Sequence, residues 1–225
     1  IGARSGDALT EGQYNVSIGD QSLSADTKGS RSVAVGYGAL NPQNFTSATD
    51  AYNIGIGYTA GNALSTGVNN VLVGGLAGDA ITTGDHNIAI GKDAIHANTA
   101  GNKSIGIGSS ALYSQNITSD SDGYNVAVGF NAGYNLSTGT ENTLIGSQVA
   151  SGDTITGANN TCVGYQSGHG LTSGGNNLFL GHDAGRAASP AGNQTTGSNT
   201  ICLGDDNIGD FFCADTSISS SDSRD

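Results

Sequence analysis

The chain lacks methionine and tryptophan, and it contains only 2 prolines and 12% charged residues among its 225 positions. The scarcity of proline, and glycines that do not recur at every third position, exclude a collagen triple helix. No run approaches the roughly 18 apolar residues of a membrane-spanning helix, so we expect no membrane insertion. No stretch resembles a signal peptide, and the chain begins with Ile1 rather than Met, which indicates a piece of a longer protein.

Positive charge is also scarce, because 7 basic residues against 19 acidic ones give a net charge of −12. Such a chain repels phosphate backbones, and nucleic acid is therefore not an expected partner. The three cysteines, Cys162, Cys202 and Cys213, form neither a disulfide framework nor a metal-ligand cluster. We expect no cofactor and no metal site.

Glycine, by contrast, is abundant, with 37 residues, and its placement is periodic. A motif of polar, apolar, small, apolar and glycine residues recurs eleven times, as in Asn87 to Gly91, mostly at a spacing of 17 residues. Its apolar period of two is typical of a strand. Stacking of successive coils at about 4.8 Å would bury a continuous ladder of Val, Ile and Leu side chains, which a single coil cannot bury alone. The sequence predicts an all-β, parallel β-roll or β-solenoid of about 12 coils over residues 1–209, with 210–225 as a junction to a following domain.

Two further features describe the coil. A second glycine lies seven residues before the closing glycine in nine of eleven coils, and the pattern predicts a positive φ there. The middle residue of the strand motif is interpreted as facing neighbouring chains, while the flanking Val and Ile fill the coil. Cys162 and Cys202 occupy this middle position two coils apart, beyond disulfide reach. They would approach their symmetry mates in a trimer, or they are buried thiols without a role.

A longer repeat of 72 residues overlies the short one, and Ala39 to Thr46 matches Ala111 to Thr118. Both segments belong to 21-residue coils, whose extra residues must loop outward because the strand register is fixed. We expect the loops Asn41 to Ala51 and Tyr113 to Gly123 to face a receptor, and Ala187 to Gln194 to point outward likewise. The candidate receptor-facing residues are Asn44, Phe45, Tyr113, Asn116, Asp120 and Asp122. An ion bound by Asp120 and Asp122 is the alternative for the second loop.

The strand motif resembles the head repeat of trimeric autotransporter adhesins, and Ser32 to Gly36 and Asn87 to Gly91 are similar to that family's Asn-Ser-Val-Ala-Ile-Gly signature. The resemblance runs from Ile1 to about Gly209, although the coils here are longer than that family's usual turn. It implies a left-handed parallel β-roll, an intertwined or side-by-side homotrimer, and a surface that binds host matrix or cells.

A variant of the motif, with Thr-Gly-x-Asn-Asn before the strand and Gly-Tyr-x-Ala-Gly after it, resembles tail-fibre proteins of phages and large viruses that carry an endosialidase-type intramolecular chaperone. Ala158 to Gly168 and Gly175 to Gly185 show this variant. Ser221 to Asp225 look like the start of that chaperone's Ser-Asp-x-Arg-x-Lys motif. The resemblance implies self-cleavage between Ser220 and Ser221, but the lysine would follow Asp225, so this chain cannot use that dyad.

No catalytic pattern is present, because the four histidines fall at different coil positions and no nucleophile elbow or Walker loop occurs. We expect no enzyme. The sequence predicts a homotrimeric fibre or spike segment of a phage or virus tail that displays loops to a host-surface glycan or protein receptor. The alternative is the head of a bacterial trimeric autotransporter adhesin or a subunit of an extracellular filament. These roles place the chain on a virion tail, outside the cell or at its surface.

Overall fold

The structure is a computed structural model that describes residues 1–187, 189 and 192–210. All regular elements in this part of the chain are strands. In chain order they are β1 Val16–Ile18, β2 Gly29–Ser30, β3 Val33–Val35, β4 Thr49–Asp50, β5 Ile54–Ile56, β6 Val71–Val73, β7 Ile88–Ile90, β8 Ile105–Ile107, β9 Val126–Val128, β10 Thr143–Ile145, β11 Thr161–Val163, β12 Leu178–Leu180 and β13 Ile201–Leu203.

Eleven strands form one parallel sheet in the order β1-β3-β5-β6-β7-β8-β9-β10-β11-β12-β13, and β2 pairs with β4 in a second parallel sheet. Each strand pairs with its counterpart in the next turn, as Val71 does with Ile88. The fold is therefore a parallel β-solenoid of about ten turns with a period near 17 residues, which confirms the all-β prediction. The expected count of about 12 coils is too high. Ile1 joins the stack through a hydrogen bond from the Gly19 amide (2.7 Å) without forming a strand, and β13 is the last described rung.

The side chains of the strands point the opposite way from the prediction. The middle residue of each strand faces the interior, as at Ala89 and Phe179, which are both 0% exposed. The flanking residues face outward, and Ile90 retains 37% exposure. The interpretation that the middle position faces neighbouring chains is therefore wrong. Cys162 and Cys202 lie inside, at 0% and 3% exposure, because they occupy the middle, inward-facing position of their strands.

Large side chains in the interior pack against glycines of neighbouring segments. Leu40 occupies space beside Gly55, where a Cβ atom would lie 2.6 Å from Leu40 Cγ. Gly61 in turn makes room for Leu72, whose Cδ1 would lie 2.9 Å from a Cβ at that position. Such close packing leaves little volume for a larger residue in either turn. The small residue three positions after the closing glycine is buried, for example Ala77, which is 0% exposed.

The turn glycines do not have the positive φ that the sequence predicts. The closing glycines have it instead, with φ of 139° at Gly74 and 133° at Gly91. Gly84 is a glycine for a different reason, because a Cβ atom there would lie 2.5 Å from the carbonyl oxygen of Gly101 in the next turn. Close approach of stacked backbones, rather than local conformation, excludes a side chain at this position.

A column of asparagines runs through the interior beside the strands, and the sequence analysis missed it. Asn70 is 0% exposed; its Nδ2 donates to the Gly84 carbonyl (2.9 Å), and its Oδ1 accepts from the Asn87 amide (2.9 Å). Each amide therefore joins one turn to the next, which meets the need of buried polar groups for partners. The column consists of Asn15, Asn53, Asn70, Asn87, Asn125, Asn142, Asn160 and Asn177.

Candidate functional site

The outer side of the main sheet is an aliphatic face formed by two outward residues in each of its eleven strands. Residues two apart on a strand share one side of the sheet. The first ladder of this face is Val16, Val33, Ile54, Val71, Ile88, Ile105, Val126, Thr143, Thr161, Leu178 and Ile201. The second ladder is Ile18, Val35, Ile56, Val73, Ile90, Ile107, Val128, Ile145, Val163, Leu180 and Leu203.

No charged residue occurs in either ladder, and the second ladder is aliphatic at every rung. The face is also long, because ten steps of about 4.8 Å give roughly 48 Å. Single exposed apolar residues are normal on a protein surface, whereas a contiguous apolar patch marks an interaction site. The aliphatic face is therefore the main candidate interaction surface of the molecule.

The two edges of the aliphatic face differ in chemistry. Beside the second ladder, the residues that follow the closing glycines form a mixed column, with exposed rings at Tyr37, Tyr58, Phe130 and Tyr165. The same column contains small residues and the charged or titratable residues Asp20, Lys92, His182 and Asp205. Tyr37 and Tyr58 stack at 5.7 Å between ring centroids. Beside the first ladder lies a polar column, one residue before each interior asparagine or its equivalent. The polar column consists of Tyr14, Arg31, Tyr52, Asn69, His86, Lys103, Tyr124, Glu141, Asn159, Asn176 and Asn199.

The outward loops are anchored in the interior at two positions where a serine replaces an asparagine of the column. At each position a glutamine from the loop makes hydrogen bonds in the space that the shorter serine leaves. Ser104 replaces an asparagine, and Gln115 from the second loop reaches it through Nε2 (3.1 Å). Asn125 Nδ2 then donates to Gln115 Oε1 (3.0 Å). Gln43 makes the same two contacts in the first loop, to Ser32 (3.3 Å) and from Asn53 (2.9 Å).

An apolar side chain from each loop is also buried, which corrects the prediction for Phe45. Phe45 is 5% exposed and packs against Gly29, while Ile117 is 7% exposed and packs against Gly101. Phe45 therefore anchors its loop and does not face a receptor. The crests beyond these anchors are exposed as predicted, at 46–48 and 118–121. The expected third loop, Ala187 to Gln194, includes positions 188, 190 and 191, which lie outside the described residues.

Tyr113 is partly exposed, but both faces of its ring are covered. His96 stacks on one side with centroids 4.6 Å apart, and Tyr134 stacks on the other at 4.8 Å. Only the edge of Tyr113 remains for a ligand.

The histidine of this stack also pairs with a carboxylate, because His96 Nδ1 lies 2.6 Å from Asp79 Oδ1. Burial raises the pKa of Asp79 more than the attraction of His96 lowers it.

The remaining predicted loop residues already have partners within the chain. Asn44 and Asn116 accept hydrogen bonds from Thr27 and Thr99 of the preceding turn, at 3.0 and 3.3 Å. Asp120 accepts from Asn102 Nδ2 at 2.8 Å. Their role as receptor contacts stays a prediction.

Each loop ends in a cluster of a cation, a carboxylate and a tyrosine. In the first loop Arg31 Nη1 lies 2.7 Å from Asp50 Oδ1, and its guanidinium carbon is 5.8 Å from the centroid of Tyr52. In the second, Lys103 Nζ lies 2.7 Å from Asp122 Oδ2 and 5.3 Å from the centroid of Tyr124.

The hydrogen bond from Lys103 to Asp122 is the main cause of the lowered pKa of Asp122. The same hydrogen bond raises the pKa of Lys103. Tyr124 Oη donates to the same carboxylate at 2.6 Å. The sequence analysis named Asp122 but not its partners, which the 72-residue repeat could have revealed.

Three further features concern acid–base, metal-binding and thiol chemistry. His182 Nδ1 lies 3.2 Å from Asp205 and 3.6 Å from Asp183 in an exposed surface group. Within residues 1–187, 189 and 192–210, no three His, Cys, Asp or Glu side chains are arranged to hold a metal ion. Burial raises the pKa of Cys162 to about 12, which leaves its thiol protonated at neutral pH. Cys213 and the predicted cleavage junction, Ser220 and Ser221, lie outside the described residues.

Comparison of the chain with protein-family models, curated proteins and solved structures finds no match. In the part of the chain that the structure describes, no helix has the length and apolarity required to cross a bilayer.

Proposed function

We propose that this chain is a structural segment of a homotrimeric fibre or spike on a phage or virus tail, in which three solenoids associate through their aliphatic faces and display the two anchored loops to the host surface. The observation that carries this proposal is the uncharged, eleven-strand aliphatic face. The resemblance of the strand motif to trimeric adhesin heads and tail-fibre proteins supports three copies, a left-handed coil and a virion or extracellular location.

A second copy of the chain fits the aliphatic face better than an unrelated partner does. The face repeats one pair of outward residues at every turn, so a matching surface needs the same rise and an equal length, which an identical copy supplies. The net charge of −12 disfavours self-association, but the charges lie outside the two ladders. Burial of the two ladders would therefore stabilise the contact without desolvating an ion pair at its centre.

The second ladder is the best candidate for the centre of the assembly. It is aliphatic throughout, whereas the first ladder is interrupted by Thr143 and Thr161. The mixed column on its far side adds four exposed aromatic rings among polar and charged residues, and the polar column borders the first ladder. This arrangement gives an apolar centre and a polar rim, as in stable interfaces.

The experiment measures the mass of the 225-residue chain by size-exclusion chromatography with light scattering. We expect the unmodified chain to run at three times its 22.3 kDa mass. The double variant Ile90→Asp/Ile107→Asp places two charges on the second ladder, and we expect it to run as a monomer with an unchanged β-type circular dichroism spectrum.

The matched control is Thr66→Asp/Thr83→Asp, which adds the same charge to exposed turn positions outside the aliphatic face. We expect this control to retain the trimer mass. A monomeric unmodified chain, or a trimer that survives the two charges on the ladder, would contradict the proposal.

A further inference from the structure

We infer that the two cation–carboxylate–tyrosine clusters are a duplicated binding site for a neutral, linear glycan that runs along the rod. The clusters are Arg31, Asp50 and Tyr52 at the first loop, and Lys103, Asp122 and Tyr124 at the second. This inference deepens the proposed function, on which it rests, by naming the ligand class and the contact residues.

The clusters are exposed and rigidly placed. The exposed fraction of the side chains is 39% for Arg31 and 50% for Asp50, and Tyr52 and Tyr124 are each 49% exposed. Parallel pairing of β2 with β4 holds Asp50, and a bridge between Asn102 and Asp122 holds the second carboxylate. Sites built on fixed backbone lose little conformational entropy when they bind.

The comparison of the two 72-residue units favours a ligand over a purely structural role. Most exposed loop positions are kept between the two units, although Ala48 corresponds to Asp120. The buried loop positions include one conservative change, Phe45 to Ile117, and one identity, Gln43 with Gln115. The kept pairs are Asn44 and Asn116, Thr46 and Thr118, Ser47 and Ser119, Asp50 and Asp122, and Tyr52 and Tyr124. Outside the loops, some surface residues change between the units, as Asn62 does to Tyr134 and Asn69 to Glu141, while others such as Thr66 and Thr138 are kept. Exposed ion pairs stabilise a fold only slightly, so stability alone does not explain this retention.

The tyrosines are also not the residues that the local backbone favours. Tyr52 and Tyr124 have φ of 50° and 49°, in the left-handed region that asparagine tolerates better. Four turns do use asparagine in the polar column, at Asn69, Asn159, Asn176 and Asn199. Tyr14, outside the loops, also has a positive φ of 61° in this column, and its ring lies 5.0 Å from the guanidinium carbon of Arg31. Tyrosine in this column therefore accompanies a neighbouring cation, and in the two loop turns it also lies beside a carboxylate.

The chemistry of the cluster selects a neutral polyhydroxylated ligand. An exposed aromatic ring presents an apolar face to a sugar ring, and the carboxylate and cation beside it accept and donate hydrogen bonds to hydroxyls. Because each cation is already paired with a carboxylate, the cluster carries no net charge. The chain as a whole is at −12, which disfavours an anionic polymer.

The spacing of the clusters implies a bivalent contact. Four turns separate them, which gives about 19 Å at the strand spacing of a sheet. Both belong to the polar column at the rim of the aliphatic face, so association through the second ladder leaves them open to solvent. A glycan that reaches both clusters would gain affinity by raising the effective concentration at the second site.

The test uses biolayer interferometry of the 225-residue chain on immobilised dextran, mannan and galactan, with heparin and hyaluronan as anionic comparisons. We expect binding to at least one of the three neutral polysaccharides. Tyr52→Ala and Tyr124→Ala should each weaken it by roughly 10–100-fold through loss of bivalency, and the double variant should abolish it.

Tyr134→Ala is the matched control, since it removes a tyrosine outside the clusters and should leave binding within a factor of two. The mass of every variant is measured on the same samples, so that a failure of the site is distinguished from a failure of the trimer. Loss of binding with an intact trimer supports the site. Binding to none of the neutral polymers, binding to the anionic ones alone, an unaffected double variant, or loss of binding only together with loss of the trimer would overturn it.

Discussion

Truncation of one asparagine in the interior column should destabilise the whole rod. Asn142 is 1% exposed, and its Nδ2 donates to the Gly157 carbonyl (3.1 Å) while its Oδ1 accepts from the Asn160 amide (3.0 Å). Asn142→Ala leaves both backbone groups buried without these partners, and each such group costs about 1–3 kcal/mol. We therefore expect the free energy of unfolding to fall by about 2–6 kcal/mol.

Guanidinium unfolding followed by circular dichroism measures this loss, at a fixed chain concentration because association is linked to stability. Hydrogen exchange should show the first loss of protection in the turns that flank position 142, since each turn of a solenoid contacts only its neighbours. Asn62→Ala is the control, because that side chain is exposed, and its effect should stay within about 0.5 kcal/mol. An equally small effect of Asn142→Ala would refute the reasoning.

Two further predictions concern backbone contact and thiol burial. Gly84→Ala should lower the melting temperature because its Cβ would lie 2.5 Å from a carbonyl oxygen of the next turn. Gly75→Ala, whose added Cβ would have no heavy atom within 4 Å, should leave the melting temperature unchanged or raise it. Calorimetry of both variants checks this, and equal shifts would contradict it. In a Cys213→Ser background, Cys162 and Cys202 should resist a thiol reagent at pH 8 and react only in denaturant, because both are buried; rapid labelling of the native chain would be inconsistent with their place in the interior.

The periodic part of the fold could be predicted from the sequence, but the direction of its side chains could not. The spacing of the closing glycines determines the number of residues per turn, and the apolar period of two indicates strands. In a motif such as Val33 to Val35, however, either the middle or the flanking residues could face inward, because both sets are apolar. Packing determines which set faces inward, since the space beside Leu40 has room only for the glycine at position 55.

The candidate sites depend on contacts between turns, which residue spacing alone does not show. Phe45 looks like an exposed loop aromatic, but the interior space over Gly29 takes its ring. Gln43 similarly resembles an ordinary loop residue in the sequence. Its anchoring role depends on Ser32, which replaces an asparagine of the interior column and accepts a hydrogen bond from Gln43. The cation–carboxylate–tyrosine clusters could have been predicted from the sequence, because Asp50 and Asp122 occupy the same place in the two 72-residue units.

Interchain disulfide formation at the second ladder tests the central claim most directly. In a chain freed of its three natural cysteines, Ile107→Cys places one thiol on the aliphatic face, and Thr83→Cys places one on an exposed turn away from it. If identical copies meet through this face, mild oxidation should convert Ile107→Cys to covalent dimers within the trimer and leave Thr83→Cys monomeric on a denaturing gel. Absence of the cross-link at Ile107→Cys, or equal cross-linking at both positions, would contradict the account.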